Sequence, residues 1–204
     1  PRAGPDPTAA SPRYTGPVEI GKSARFRATA LREGGENASY SREFAFSKST
    51  GRPAVLNTKP NDSYTFEGAS LLVDGYHSRP VFTSGAWLGY LDEPLDVTID
   101  MGGEQSYRSV ELETLAEKGD WIFPPSSVTV WVSDNGTDFT EVASVAVPEA
   151  KAGDADGIGR YRMQFPETSA RYLKVVAQNA AAIPAWHPGA GSKGFLFVDE
   201  VVVE

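Results

Sequence analysis

The sequence predicts an all-β protein built as a sandwich of antiparallel sheets, and three observations predict it. Apolar residues recur with period two in almost every patterned segment, as half-buried strands require. No stretch carries the 3.6-residue period of a long amphipathic helix. Turn dipeptides (Asp74-Gly75, Gly102-Gly103, Asn135-Gly136 and Asp156-Gly157) cut the chain into short pieces. Many short strands joined by such turns make a β-sandwich.

The elements follow in order. Ala24, Phe26, Ala28 and Ala30 form one face of a first strand, with Arg25, Arg27 and Thr29 on the other. Val97, Ile99 and Met101 predict a second strand, and Val110 with Leu112 a third. Val128, Val130 and Val132 predict another. The Asn135-Gly136 step between residues 128–133 and 139–145 predicts a hairpin. Leu173 and Val175 mark a further strand. Phe195, Phe197, Val201 and Val203 set one face of the terminal strand.

Segment 47–53 is polar and contains Gly51 and Pro53, so it predicts a boundary. The expected division is a partial small β domain over 1–48, a linker over 49–53 and the main domain over 54–204. The N-terminal piece holds two or three strands, too few to bury a core alone. It either packs on the larger domain or is the tail of a truncated one. The chain begins at Pro1 without methionine, as a processed or excised piece would.

Composition narrows the function. Hydrophobic residues make up 40% of the 204, enough for a sizeable core. The net charge of −8 argues against a nucleic-acid partner, which needs a basic surface. No apolar run reaches membrane-spanning length, so no membrane insertion is expected. With no cysteine there is no disulfide and no thiolate metal site. Two histidines, His77 and His187, argue against a His-rich zinc centre.

A family resemblance enters at particular motifs. They include Leu72-Val73-Asp74-Gly75, Trp87-Leu88-Gly89-Tyr90, Trp121-Ile122-Phe123-Pro124-Pro125-Ser126, Ala170-Arg171-Tyr172-Leu173-Lys174-Val175, and the run from Trp186 to Glu200. On these, residues 52–204 resemble an F5/8 type C, discoidin-like domain, also described as a family 32 carbohydrate-binding module. The Trp-Ile-Phe-Pro-Pro and Ile-Pro-Ala-Trp-His motifs resemble a subgroup attached to bacterial family 20 glycoside hydrolases, the β-N-acetylhexosaminidases. Asp6-Pro7-Thr8, Tyr14-Thr15-Gly16-Pro17-Val18 and Ala24-Arg25-Phe26-Arg27-Ala28 are similar to the chitobiase/β-hexosaminidase C-terminal domain, here truncated. The resemblance implies a discoidin-like jelly-roll β-sandwich with a partial small β-sandwich at its N-terminus.

Three candidate sites follow. Trp121, Phe123, Trp186 and His187, with Lys193 as a donor to hydroxyls, form an aromatic set in Pro/Gly-rich loops. Aromatic rings stack on the C–H faces of sugars. The same rings serve equally as core plugs or as a docking surface for a catalytic domain. The resemblance implies a structural calcium held by Asp74, Thr83 and Glu200, calcium being an oxygen-binding cation; without it, Asp74 is an Asx-turn residue before Gly75. The pair Asp199-Glu200 resembles the acidic pair of family 20 catalytic sites. On a strand its two side chains point to opposite faces, so no catalytic role is expected. His77 is a solvated loop residue, and the stripe Arg25, Arg27, Arg32 and Arg42 a solvated or interface-facing one.

The expected function is a non-catalytic carbohydrate-binding accessory region of a secreted β-N-acetylhexosaminidase-like hydrolase. Its expected partners are galactose- or N-acetylhexosamine-type glycans and an upstream catalytic domain, in a secreted, periplasmic or cell-surface bacterial setting. The alternative is a module that buttresses the catalytic domain without binding sugar.

Overall fold

The structure is a computed structural model that describes residues 6–32 and 38–204. It divides into two units, Pro1–Phe46 and Ser47–Glu204.

In the first unit β1 (Ala24–Ala30) pairs antiparallel with β2 (Ala38–Phe44). Cross-strand side chains reinforce the ladder. Arg25 bridges Glu43 at 2.6 Å, and the Thr29 and Ser39 hydroxyls lie 3.1 Å apart. Arg27 reaches Asp6 at 2.9 Å, and the guanidinium of Arg42 lies 5.5 Å from the Phe44 ring centre. Three of the predicted arginine stripe thus have partners within the unit.

The second unit holds β3 (Ala54–Leu56), β4 (Leu88–Tyr90), β5 (Leu95–Ala116), β6 (Ser127–Ser133), β7 (Thr140–Ala146), β8 (Gly157–Gln178) and β9 (Leu196–Val203). The predicted hairpin forms as β6 and β7, with Gly136 at φ 76° in its turn. The strands predicted separately around Val97 and Val110 are one element. β5 and β8 run 22 residues each and pair along their whole length, from Leu95 opposite Ala177 to Ala116 opposite Gly157.

This long ribbon folds over at its register shift between Asp100 and Gln105. Gly102, at φ 78°, takes the corner, and its N–H donates to Asp100 Oδ1 at 2.9 Å. The first half of β5 pairs with β3 and with the end of β8, which also pairs with β6. The second half pairs with β9 and with the start of β8. One core fills the space between the halves, with Val97, Ile99, Val110, Leu112, Val130, Val175 and Val201 in a single buried cluster. Both ends of the ribbon come to the same end of the sandwich. Ser126, which closes the loop after β5 and precedes β6, donates its N–H to Gln178 O at 2.8 Å, and Asn179 Nδ2 donates to Tyr90 O at 3.0 Å.

Two expectations are corrected. Segment 49–53 is stitched into the larger unit rather than spanning free. The Ser49 hydroxyl donates to Val201 O at 2.6 Å, Gly51 N–H to Val73 O at 2.7 Å, and Pro53 O accepts from Asp100 N–H at 2.9 Å. The terminal strand also does not keep one face. Leu112 pairs with Val201 but Thr114 with Val198, so β9 carries one extra residue at Asp199-Glu200. That bulge inverts the alternation. Val201 and Val203 lie in the main core, while Phe197 joins Leu115, Ile122 and Trp87 in a second cluster covered by Tyr64 and Phe82. Tyr64 and Phe82 sit on the 3-10 turns Asp62–Tyr64 and Phe82–Ser84, a third layer the period-two pattern did not predict, while the turn Gly68–Val73 sends Leu71, Leu72 and Val73 into the main core.

Candidate functional site

Loops 117–126, 147–156 and 179–195 meet at the end of the sandwich to which both ends of the ribbon return. Main-chain bonds fix them: Phe123 N–H donates to Phe195 O at 2.9 Å, and Phe195 N–H to Trp121 O at 2.8 Å. Trp121 closes the 3-10 turn Lys118–Asp120 at φ 64°, a region bulky residues seldom occupy. Its N–H donates to Lys118 O at 3.0 Å. The indole lies against Gly189, where a Cβ would meet ring atoms Cζ2 and Cη2 at 2.8 Å. Only glycine lets the ring sit so low. Trp121 stays 42% exposed.

His187 is the hub. Its ring is edge-on to Trp121, Trp186 and Phe123, with centroids 6.0, 5.6 and 5.5 Å away. Gly189 N–H donates to Nδ1 at 3.0 Å, which assigns the proton to Nε2, and Nε2 donates to Lys118 O at 2.9 Å. The imidazole therefore ties the 179–195 loop to the 117–121 turn. Lys118 is itself buried, and its ammonium donates to Asp154 O at 2.9 Å and to the Asp156 carboxylate. Trp186, 39% exposed, donates Nε1–H to Ala150 O at 2.9 Å. Beside it runs a groove of about 360 Å³ lined by Phe123, Pro125, Pro148, Ala150, Ala182 and Pro184.

The structure brings four of the five predicted aromatic-site residues together and divides their roles. Trp121 and Trp186 reach solvent. Phe123 and His187 are only 1% and 8% exposed, so they support the indoles from beneath rather than meet a ligand. Lys193 stands apart, with its ammonium 2.5 Å from Asp92. The sequence reading missed Gly189, Gly194, Lys118 and Asp156. The glycines had a signal, since the run 189–194 sits beside the aromatics and a Cβ at Gly194 would meet Phe123 at 2.8 Å. Lys118 and Asp156 had none, because a lysine and an aspartate far apart in sequence look like solvated charges.

The predicted metal residues lie on the flank. The bulge of β9 turns both Asp199 and Glu200 toward the 75–78 loop, against the expectation that they face opposite ways. Ser78 N–H donates to Asp199 Oδ2 at 2.7 Å, and Gly75 N–H to Glu200 Oε1 at 3.2 Å. Burial pushes the Asp199 carboxyl up to about 8 and Glu200 up to about 10, with Asp74 adding to both. Buried carboxylates held this far from their ordinary range suit a hard cation. Asp74 Oδ1 accepts Tyr76 N–H at 2.7 Å, the Asx turn also expected of it. Thr83 stands exposed on the turn Phe82–Ser84. Among the described residues, no three His, Asp or Glu side chains converge as a metal set. Of the three residues expected to hold calcium, Asp74 begins the 74–78 loop and Glu200 on the β9 bulge accepts the Gly75 N–H of that loop, while Thr83 lies on a separate turn.

His77 is not a solvated loop residue. Its Nδ1 lies 2.8 Å from Glu113 Oε2, an ion contact rather than an aligned hydrogen bond. Glu113 is 0% exposed, and its other oxygen accepts from Arg160 Nε. Burial works to raise the Glu113 carboxyl, but His77 and Arg160 outweigh it and hold it low. The same contact raises His77.

Comparison with known proteins places this geometry. The family model for the F5/8 type C domain matches residues 57–193. No curated protein matches the chain. Among solved structures, chitosan-binding module 1 of a chitosanase/glucanase from Paenibacillus sp. IK-5 superposes with a TM-score of 0.50 at 18% identity, covering 78% of this chain and 98% of that one. A Clostridium perfringens module, CpGH89CBM32-5 in complex with GalNAc-β-1,3-galactose, gives 0.49 at 16% identity over 74% and 93%. A Streptococcus pneumoniae fucose-binding module gives 0.47 at 22% identity over 78% and 94%.

Proposed function

The chain belongs to the F5/8 type C domain family, and on that premise we propose that it is a carbohydrate-binding module whose site is the Trp121–Trp186 end of the sandwich. One observation carries the reading: two half-exposed indoles stand on a base locked by His187, Lys118 and two glycines. Rigid aromatic platforms bind sugar faces because little conformational entropy is lost on contact. The core-plug form of the buttress alternative calls for burial of both rings within the chain, and neither is buried; docking against a catalytic domain is the form that the binding test below opposes. Neighbouring structures are of modules described with chitosan, GalNAc-β-1,3-galactose and fucose, which supports a glycan ligand. The sequence motifs favour galactose- or N-acetylhexosamine-type sugars. Shallow sites of this kind bind in the millimolar range, about −4 kcal/mol.

In this reading the module serves a larger secreted hydrolase of the β-N-acetylhexosaminidase type. It raises the local concentration of substrate and does no chemistry itself. Asp74 and Glu200 hold a structural calcium that neutralises buried carboxylates and fixes the 74–78 loop. The test is a glycan array on the full chain, repeated on Trp121→Ala and Trp186→Ala with circular dichroism as the fold control. Binding by the parent that both folded variants lose supports the site. Binding retained in both would move it elsewhere.

A further inference from the structure

The larger unit guards most of its open sheet edges. β3 and β4 are only three residues long. Pro53 stands just before β3, and Gly89 O on β4 accepts Asn61 N–H at 2.8 Å. The end of β9 is covered by segment 47–49, whose Lys48 N–H donates to Val203 O at 3.0 Å and whose Ser49 hydroxyl donates to Val201 O at 2.6 Å. The start of β8, which pairs with β5 alone, carries Arg160 and Arg162. Short strands, proline, charge and covering segments are what keep sheet edges from pairing with another chain.

β7 lacks most of these devices. It ends the strand order and pairs with β6 alone. Its seven residues include one charge, Glu141, and neither lysine nor proline. A bulge opposite Val130 and Trp131 bends its start, but the register is unbroken from Ala143 to Ala146. Val147 N–H donates to Ser126 O at 2.9 Å, which makes Ser127 and Ala146 a pair without mutual hydrogen bonds. Alternation along the ladder then directs the main-chain groups of Ala143 and Val145 to β6 and those of Ser144 and Ala146 outward. Both outward residues are exposed, and among the described residues no main-chain group bonds to them.

We propose that the β7 edge is a self-association surface, along which two copies of the chain pair antiparallel with Ser144 opposite Ser144. Each copy offers the other the same outward N–H and C=O groups, so both sets are satisfied at once. The charge pattern favours this partner. Pairing about Ser144 sets Glu141 of each copy opposite Val147 of the other, and the two carboxylates stand roughly 20 Å apart. Each chain carries −8 overall, so salt strengthens the pairing by screening. The proposal does not rest on the carbohydrate reading, but it has a consequence under it. The loop after β7 belongs to the aromatic end, where Ala150 O accepts from Trp186. Antiparallel pairing points the two aromatic ends in opposite directions, so the dimer bridges two glycans rather than doubling its hold on one.

The experiment is sedimentation equilibrium of the full chain from about 10 µM to about 1 mM, at low and high salt, the range in which weak pairing shows. The expected mass rises with concentration from that of one chain toward that of two, and rises further at high salt. Amide exchange at Ser144 and Ala146 is expected to slow over the same range. Ser144→Pro removes an outward N–H at an edge position, where proline is tolerated, and the pair Ser144→Lys with Ala146→Lys supplies the missing guard. Both variants are expected to hold the mass at one chain, with circular dichroism unchanged. A single-chain mass at every concentration would overturn the proposal, as would a dimer that the folded lysine variant keeps. Neither result touches sugar binding, which the glycan array reads separately.

Discussion

Gly189 lies directly beneath the indole of Trp121, so close that a methyl group there would stand 2.8 Å from the ring. Gly189→Ala is therefore expected to lift or rotate Trp121. Overpacking of this type costs about 1–3 kcal/mol. The mutant should stay folded, show a red-shifted tryptophan emission, and lose about tenfold in sugar affinity. Unchanged affinity with unchanged emission would remove Trp121 from the binding surface.

His187 uses both ring nitrogens, accepting from Gly189 and donating to Lys118 O. His187→Ala leaves the buried Gly189 N–H without its partner, removes one of the two donors to Lys118 O, and opens a gap between the two indoles. A loss of about 2–4 kcal/mol is expected in denaturant unfolding, with binding lost in parallel. Trp186→Ala removes a half-exposed ring and one bond to Ala150 O, and should cost only about 1–2 kcal/mol while abolishing binding. If Trp186→Ala proves the more destabilising of the two, the ring is packing rather than platform.

Calcium and pH should act together through the β9 bulge. Burial pushes the Asp199 carboxyl up to about 8 and the Glu200 carboxyl up to about 10, above their unfolded values near 4. Their folded pKa values are raised, so stability is fullest below about pH 4 and declines as pH rises through 8 and 10. Calcium bound as proposed should reverse that slope by favouring the ionised forms. In differential scanning calorimetry at pH 7.5, calcium at a hundredfold excess over Kd should raise Tm by about 5–10 °C over EDTA. The gain should shrink toward pH 5 and vanish in Glu200→Gln. A Tm indifferent to calcium at every pH removes the metal.

The His77–Glu113 contact gives a separate pH signature. His77 is raised by Glu113, so its contribution is present below pH about 6.5 and is lost as pH rises through its folded value. Glu113 is held low, so its own contribution is kept down to acid pH. With calcium saturating, the stability gap between the parent and His77→Gln should be largest near pH 6 and close by pH 9. A gap constant across that range would show that His77 contributes shape rather than charge.

Much of this was legible in the residues. The period-two valines gave the strands, and Asn135-Gly136 gave the hairpin in its place. The loop aromatics could be grouped because Pro and Gly surrounded them, and the rings of Trp121, Phe123, Trp186 and His187 do lie side by side. What escaped is non-local. One extra residue at Asp199-Glu200 flips every side chain beyond it, and only its pairing with Leu112 and Thr114 reveals it. The ranking of Trp121 above Phe123 was equally hidden. Both are aromatics of one short loop and each rests on a glycine, Gly189 or Gly194, yet one stands at the surface and the other inside.

The folded ribbon of β5 and β8 also governs how the molecule comes apart. Each of these strands belongs to both sheets, so neither layer can detach while the other persists. Most of the pairings join residues distant in the chain, as with Leu95 and Ala177, which makes for slow assembly from the unfolded state. The larger unit should then melt in a single all-or-none transition, and damage at the aromatic loops should register as a shift of that one transition rather than as a separate early phase.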